Sequence, residues 1–305
     1  MKMFSHNQYL FLYRSPRDSL DFLTKTESAS GFVEMPTEGD FCKTFEYKLY
    51  QSAQFQRPYK SLAKVDSGEM PDGKGNIKDC LETILNNHPM GNPSWMEVYN
   101  FTAFLNEQMK LCKKSNFLSP VNAEDFPGFR KFATKFLIQM SKDFSTRSVE
   151  VSDESQGKEF CKPEIKARNN WEEKAHPYLF FNHDGHSLSF FGIFVDNNLS
   201  ILNEKTGEIL HEGLMNKYLY QGLVRNNVKF NQSLDTMPRL EQLNALALVF
   251  GLETKANIKA AEVDPSYELT RDNMLKMMAI WMRFKCGIPV IIMGETGSGK
   301  TRLVK

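Results

Sequence analysis

Near the carboxyl end of this 305-residue sequence, Gly294, Glu295, Thr296, Gly297, Ser298, Gly299, Lys300 and Thr301 set two glycines around four residues, followed by a lysine and a hydroxyl residue. That spacing suits the grip of a protein backbone on a nucleoside triphosphate. A loop that wraps a phosphate turns its N–H groups inward, and Gly294, Gly297 and Gly299 permit conformations and close approaches that side chains would obstruct. Lys300 would set a point charge against the β- and γ-phosphate oxygens, and Thr301 would offer its hydroxyl to a magnesium ion. A helix beginning near Gly299 would add further N–H donors. ATP and Mg are therefore the expected ligands, with Glu295 and Arg302 given no catalytic role.

The elements that must position this loop lie just before it. Residues 288–293 are short, branched and apolar, as expected of a parallel strand covered on both faces. Ahead of them, Thr270 can cap a helix with Asp272 in its first turn and Arg283 and Lys285 in its last. Met274, Met277, Met278, Trp281 and Phe284 make the expected apolar stripe, and Gly287 with Pro289 ends the helix.

Other chemistry is less well supported. His176, His183 and His186 lie within eleven residues, but no acidic or cysteine partner stands at metal-ligand spacing, and Asp184 is better used in a turn. No Gly-x-Ser-x-Gly nucleophile elbow occurs. The five cysteines are odd in number and more than 30 residues apart, which argues against a disulfide framework and for a reducing cytosol. Lys plus Arg number 38 and Asp plus Glu 37, so the chain lacks the broad field of a nucleic-acid binder. No apolar run approaches the length of a transmembrane helix, and the residues after Lys2 do not form a secretory signal.

Length allows two ordinary domains, and 41% apolar with 25% charged residues fits a folded chain. Residues 1–80 have little sustained periodicity: residues 9–13 could be a strand, and 15–75 reads as loops with marginal elements. A brief helix is expected over 77–85. Residues 81–145 are expected to form a helical subdomain. Asn92 and Pro93 are read as cap and first helical residue, Ser94 and Glu97 have capping-box spacing, and Trp95, Val98, Phe101, Leu105, Met109 and Cys112 mark one buried face. A second helix is expected over 126–144, with a Phe-rich side in the core.

Residues 146–170 read as a solvated linker. Residues 171–264 read as a mixed hairpin and helix region. There, 178–181 and 187–195 flank Asp184 and Gly185, a pair able to supply two positive φ angles. Residues 200–202 would pair with 208–211 across Thr206 and Gly207, and 239–250 would form a helix with Leu240, Leu243, Ala247 and Phe250 inward and Gly251 as its left-handed end. Residues 265–305 would open a phosphate-loop module. The expected class is α/β, in the mixed α+β sense, with a helical subdomain and β-hairpins before the truncated start of that module.

The run from Tyr267 to Leu303, YELTRDNMLKMMAIWMRFKCGIPVIIMGETGSGKTRL, resembles the entry to an AAA+ module of the mysterin family of giant RING-finger ubiquitin ligases. The stretches NPSWMEVYNFTAFLNEQMK from Asn92, FRKFATKFLIQMSKDFST from Phe129, HPYLFFN from His176 and LYQGLVRNNVKFN from Leu219 are similar to the same family, in the same order. The resemblance covers roughly 80–305. It implies a cytosolic parent associated with lipid droplets, with six AAA+ modules, and with a RING and ubiquitin machinery far downstream. Residues 294–301 would open the third module, and residues 171–264 would belong to the preceding one. Partners would be ATP, neighbouring AAA+ modules and, through the parent, the ubiquitin machinery.

Lys300 and Thr301 match the family's phosphate and magnesium residues, while Ser298 stands where the family usually shows Cys. The sequence stops four residues past Thr301, without the acidic strand end and sensors that hydrolysis needs. A fragment inactive by itself is the expectation; the alternatives are a scaffold piece or diverged paralogue with a relic loop, or an unrelated phosphate-loop kinase.

Overall fold

The computed structural model describes residues 16–17, 50–67, 71–119, 122, 124–146, 171, 174–252, 264–294 and 296–304. The strand expected over 9–13 and nearly all of the linker expected over 146–170 lie outside the described residues. Two compact units are distinguished: one drawn from Met1–Lys114, Gly128–Ser145 and Lys285–Ile288, the other from Ser115–Pro127, Thr146–Phe284 and Pro289–Lys305.

The described part of the first unit is helical. Helix α1 (Ala53–Ser67) falls where sequence reading expected loops, and it contains Pro58. A proline inside a helix removes one intrahelical donor, but Phe55, Tyr59 and Leu62 are buried where α1 packs on α2 (Ile77–Asn86), α3 (Trp95–Lys114) and α4 (Phe129–Met140). Tertiary burial outweighs the local penalty. Helix α2 is capped as its sequence allows, with the Asn76 side chain accepting from the Asp79 N–H at 2.8 Å.

Helix α3 begins one residue after Ser94. The Ser94 N–H donates to Glu97 Oε2 at 2.7 Å and the Glu97 N–H donates to Ser94 Oγ at 3.3 Å, the reciprocal pattern of a capping box. Asn92 and Pro93 precede the helix rather than starting it. The expected single buried face is too narrow: Thr102, Phe104 and Gln108 are buried along with Phe101 and Leu105, because α3 touches α1, α2, α4 and the short α5 (Lys142–Ser145).

The helix expected over 126–144 is two. It starts at Phe129, after Gly128 at φ 83°, and breaks at Ser141, whose hydroxyl donates to the Ile138 carbonyl. Its phenylalanines do lie in the core, and Phe144 stacks on Phe104 at 4.6 Å.

The second unit holds two small antiparallel sheets. Strands β1 (Tyr178–Phe181) and β2 (Leu188–Phe191) pair with Tyr178 opposite Phe191. Strands β3 (Ile193–Val195), β4 (Ile201–Asn203) and β5 (Ile209–His211) form the other, in sequence order. The strand expected over 187–195 is thus split at Gly192. Its φ is 74°, and an added Cβ would stand 2.1 Å from the His176 carbonyl oxygen, so only glycine continues the chain there.

The β1–β2 turn also differs from expectation. Gly185 has a positive φ of 69°, while Asp184 acts through its carboxylate, with Oδ1 accepting the N–H groups of His186 and Ser187, each at 2.9 Å. The β4–β5 hairpin turns through Thr206 and Gly207 as expected, and α6 (Lys217–Arg225) follows it.

Helix α7 (Arg239–Phe250) has the expected bounds and ends at Gly251 with φ 72°. Its buried side runs through Gln242, Leu246, Ala247 and Val249, leaving Leu240 exposed. The polar Gln242 is drawn inside because its Nε2 donates to the carbonyls of Leu234 at 2.7 Å and Leu269 at 2.8 Å.

Helix α8 (Arg271–Lys285) receives the Thr270 cap, with the Asn273 N–H donating to Thr270 Oγ1 at 3.3 Å. Arg271, Met274, Leu275, Met278 and Met282 are buried, whereas Phe284, expected inward, is exposed. The apolar pattern of that helix is wide enough to serve two faces, and the buried Arg271 selects one.

Residues 288–293 form no strand. Among the described residues no strand pairs with them, and Ile291 and Met293 are 85% and 70% exposed. The chain overall is mixed α and β, in agreement with the expected class. Among the described residues no helix is long and apolar enough to cross a membrane.

Candidate phosphate-binding loop

The chain leaves α8 through Gly287 at φ 67° and reaches Gly294 without regular structure. Glu295 lies outside the described residues. Gly297 and Gly299 have φ values of 85° and 79°, on either side of Ser298. At neither glycine would a Cβ meet a heavy atom within 4 Å, so the demand there is conformational rather than steric. Gly294 is a close approach, since an added Cβ would stand 2.9 Å from Ser298 Oγ.

Helix α9 (Lys300–Val304) starts directly after the second left-handed glycine, and the Leu303 N–H donates to the Gly299 carbonyl at 2.9 Å. Lys300 Nζ reaches back over the loop, donating to the Gly294 carbonyl at 2.9 Å and approaching Ser298 Oγ at 3.4 Å. Gly294, Ser298 and Lys300 are therefore brought together. Thr296 and Thr301 are exposed, Thr301 at the start of α9. The ammonium of Lys300 and the hydroxyl of Ser298 thus meet at one turn of chain whose glycines free its backbone, with Thr301 the next residue along α9.

Arg302, set aside on sequence grounds, has defined partners. Its Nε donates to Asp264 Oδ2 at 2.6 Å, its Nη2 donates to Ser266 Oγ, and its guanidinium lies 5.7 Å from the Tyr267 ring centroid. The Arg302 hydrogen bond, aided by Ser266, holds the Asp264 carboxyl well below the usual carboxylate range. No local sequence signal marks this pair, whose members are 38 residues apart.

The histidines do not converge on a metal. His176 stacks on Trp171 at 3.6 Å, with Nε2 2.7 Å from the Trp171 carbonyl oxygen, and His186 Nδ1 lies 2.5 Å from Asn116 Nδ2. Among the described residues no group of three His, Cys, Asp or Glu could hold a metal ion. Burial pushes the thiols of Cys80 and Cys112 up to about 11 and about 12, so neither favours the reactive thiolate.

Residues 267–305 match the family described as the RNF213 AAA domain. The chain is 37% identical over 96% of its length to E3 ubiquitin-protein ligase rnf213-beta of Danio rerio. It is 40% identical over 83% of its length to E3 ubiquitin-protein ligase RNF213 of Homo sapiens, and 38% over 96% to that of Mus musculus. It spans only 5–6% of the length of these relatives. By sequence the chain belongs with the RNF213 proteins, and its carboxyl-terminal residues, 267–305, match their AAA domain.

Proposed function

We propose that residues 294–301 are the phosphate-binding loop of an RNF213-type AAA module and take MgATP. The carrying observation is the pair of left-handed glycines, Gly297 and Gly299, that folds a loop under the Lys300 ammonium within residues matched by an AAA domain family. The residues fit such a ligand: the missing Cβ of Gly294 lets Ser298 Oγ pack close over the loop, and the Lys300 charge already rests against oxygen acceptors. In this reading Lys300 Nζ exchanges Gly294 O and Ser298 Oγ for β- and γ-phosphate oxygens, backbone N–H groups of the loop donate to the β-phosphate, and Thr301 Oγ1 holds magnesium. The bound MgATP supplies a phosphoanhydride whose energy can drive mechanical work.

The module would act beside other AAA modules of one long protein. The ubiquitin-ligase activity in the relatives' names would reside elsewhere in that protein, in the cytosol and, by resemblance, on lipid droplets. Binding of ATP to the intact protein, measured with and without Mg, tests the site. Affinity that falls in Lys300→Ala and loses its Mg dependence in Thr301→Val supports it. Binding indifferent to both changes contradicts it and leaves an interaction piece with a relic loop.

A further inference from the structure

Helix α9 carries the proposed phosphate and magnesium groups, yet none of its residues is buried. Arg302, next to Thr301 and two residues from Lys300, ties α9 to a turn elsewhere in the same unit. Its guanidinium is received by three neighbouring groups: the Asp264 carboxylate, the Ser266 hydroxyl and the face of Tyr267.

That receptor is itself built. Ser266 donates to Asp264 Oδ1 from both its hydroxyl, at 2.7 Å, and its N–H, at 3.1 Å, and the Tyr267 N–H donates to the Asp264 carbonyl at 3.1 Å. The turn is tied to α7 in the same unit, since Arg239 Nη1 donates to the Tyr267 carbonyl at 2.8 Å. A planar fork of donors matched to a carboxylate and an aromatic face restrains a helix in rotation as well as position.

We propose, resting on the phosphate-loop reading, that Asp264, Ser266 and Tyr267 form a receptor for Arg302 that positions Lys300 and Thr301, making Asp264 and Arg302 positioning residues for nucleotide affinity. Neither touches the nucleotide. Asp264 acts through Arg302, and Arg302 through the helix backbone it shares with Lys300.

The test is MgATP binding to the intact protein, taking the binding lost in Lys300→Ala as the contribution of this site. Asp264→Asn and Arg302→Gln should each lower that contribution several-fold without changing the thermal unfolding midpoint. The exchange Asp264→Arg with Arg302→Asp should restore part of it, and added salt should narrow the gap between wild type and Asp264→Asn, because an exposed pair is screened. Full affinity in Asp264→Asn, with Lys300→Ala still defective, overturns the positioning role alone. Wild-type binding unaffected by Lys300→Ala overturns the phosphate-loop reading and this role with it. Affinity lost only in parallel with the unfolding midpoint also overturns the role, and Arg302→Lys, which keeps the charge without the fork, should show an intermediate loss.

Discussion

Arg271 and Glu204 form a buried ion pair: Arg271 Nε lies 2.9 Å from Glu204 Oε2, and the two side chains are 7% and 3% exposed. Glu204 follows β4, and Arg271 is the first residue of α8, whose far end leads into the candidate loop. The pair fastens the three-stranded sheet to that helix within one unit. The Arg271 N–H adds a bond to Asp235 Oδ1 at 2.9 Å, while Glu204 Oε1 is buried without a hydrogen bond. The Glu204 carboxylate thus depends on Arg271 for its compensation.

Arg271→Met should therefore destabilise the protein strongly, by about 3–5 kcal/mol, because it strands a charge inside. Urea unfolding followed through Trp281 on α8 measures this. A combined Arg271→Met, Glu204→Leu variant should recover much of the loss, since no charge is left buried. A loss under about 1 kcal/mol for the single change would show the pair to be solvated.

Gly299→Ala isolates conformation from contact in the candidate loop. No heavy atom lies within 4 Å of the missing Cβ, so an alanine there meets only the cost of a left-handed φ, about 1–2 kcal/mol. MgATP affinity should fall by a factor of about 5 to 30 at that cost. Equilibrium titration of the variant measures it, and unchanged affinity would mean that the loop binds in another conformation.

His88 gives the helical unit a pH dependence. Its pKa is lowered first of all by burial, which outweighs its hydrogen bonds, and Nδ1 accepts the Met90 N–H at 3.1 Å, which needs the neutral ring. The folded pKa lies below the unfolded value near 6.5, so the unfolded chain binds more protons between them. Stability is then full above about pH 7 and declines as pH falls through 6.5. His211, also lowered by burial, acts in the same direction. Unfolding at pH 7.5 and 5.5 should show a larger acid loss in wild type than in His88→Gln, and equal losses would contradict the assignment.

Local chemistry was legible where a few neighbouring residues decide the outcome. The Ser94–Glu97 box, the Gly251 helix end and the Thr206–Gly207 turn follow from side chains within four residues of one another. Features set by distant partners were not. Residues 15–75 read as loops for want of sustained periodicity, yet tertiary burial maintains α1 across Pro58, and Gln242 turned α7 about its axis by bonding the Leu234 and Leu269 carbonyls.

Residues 288–293 show the same limit from the other side. Apolar composition signals a strand, but a strand requires a partner, and none pairs with them among the described residues. In the candidate loop the left-handed turns at Gly297 and Gly299 follow from the residue type, whereas the Arg302 hydrogen bond is set by Asp264, 38 residues away.

In the proposed site Lys300 contacts phosphate, and calorimetric titration of MgATP into the intact protein, wild type against Lys300→Ala, reads that contact. Loss of one charge-assisted contact should weaken binding at this site by about 1.5–3 kcal/mol, roughly 10- to 150-fold. Equal affinity in the two proteins would mean that Lys300 does not touch the nucleotide.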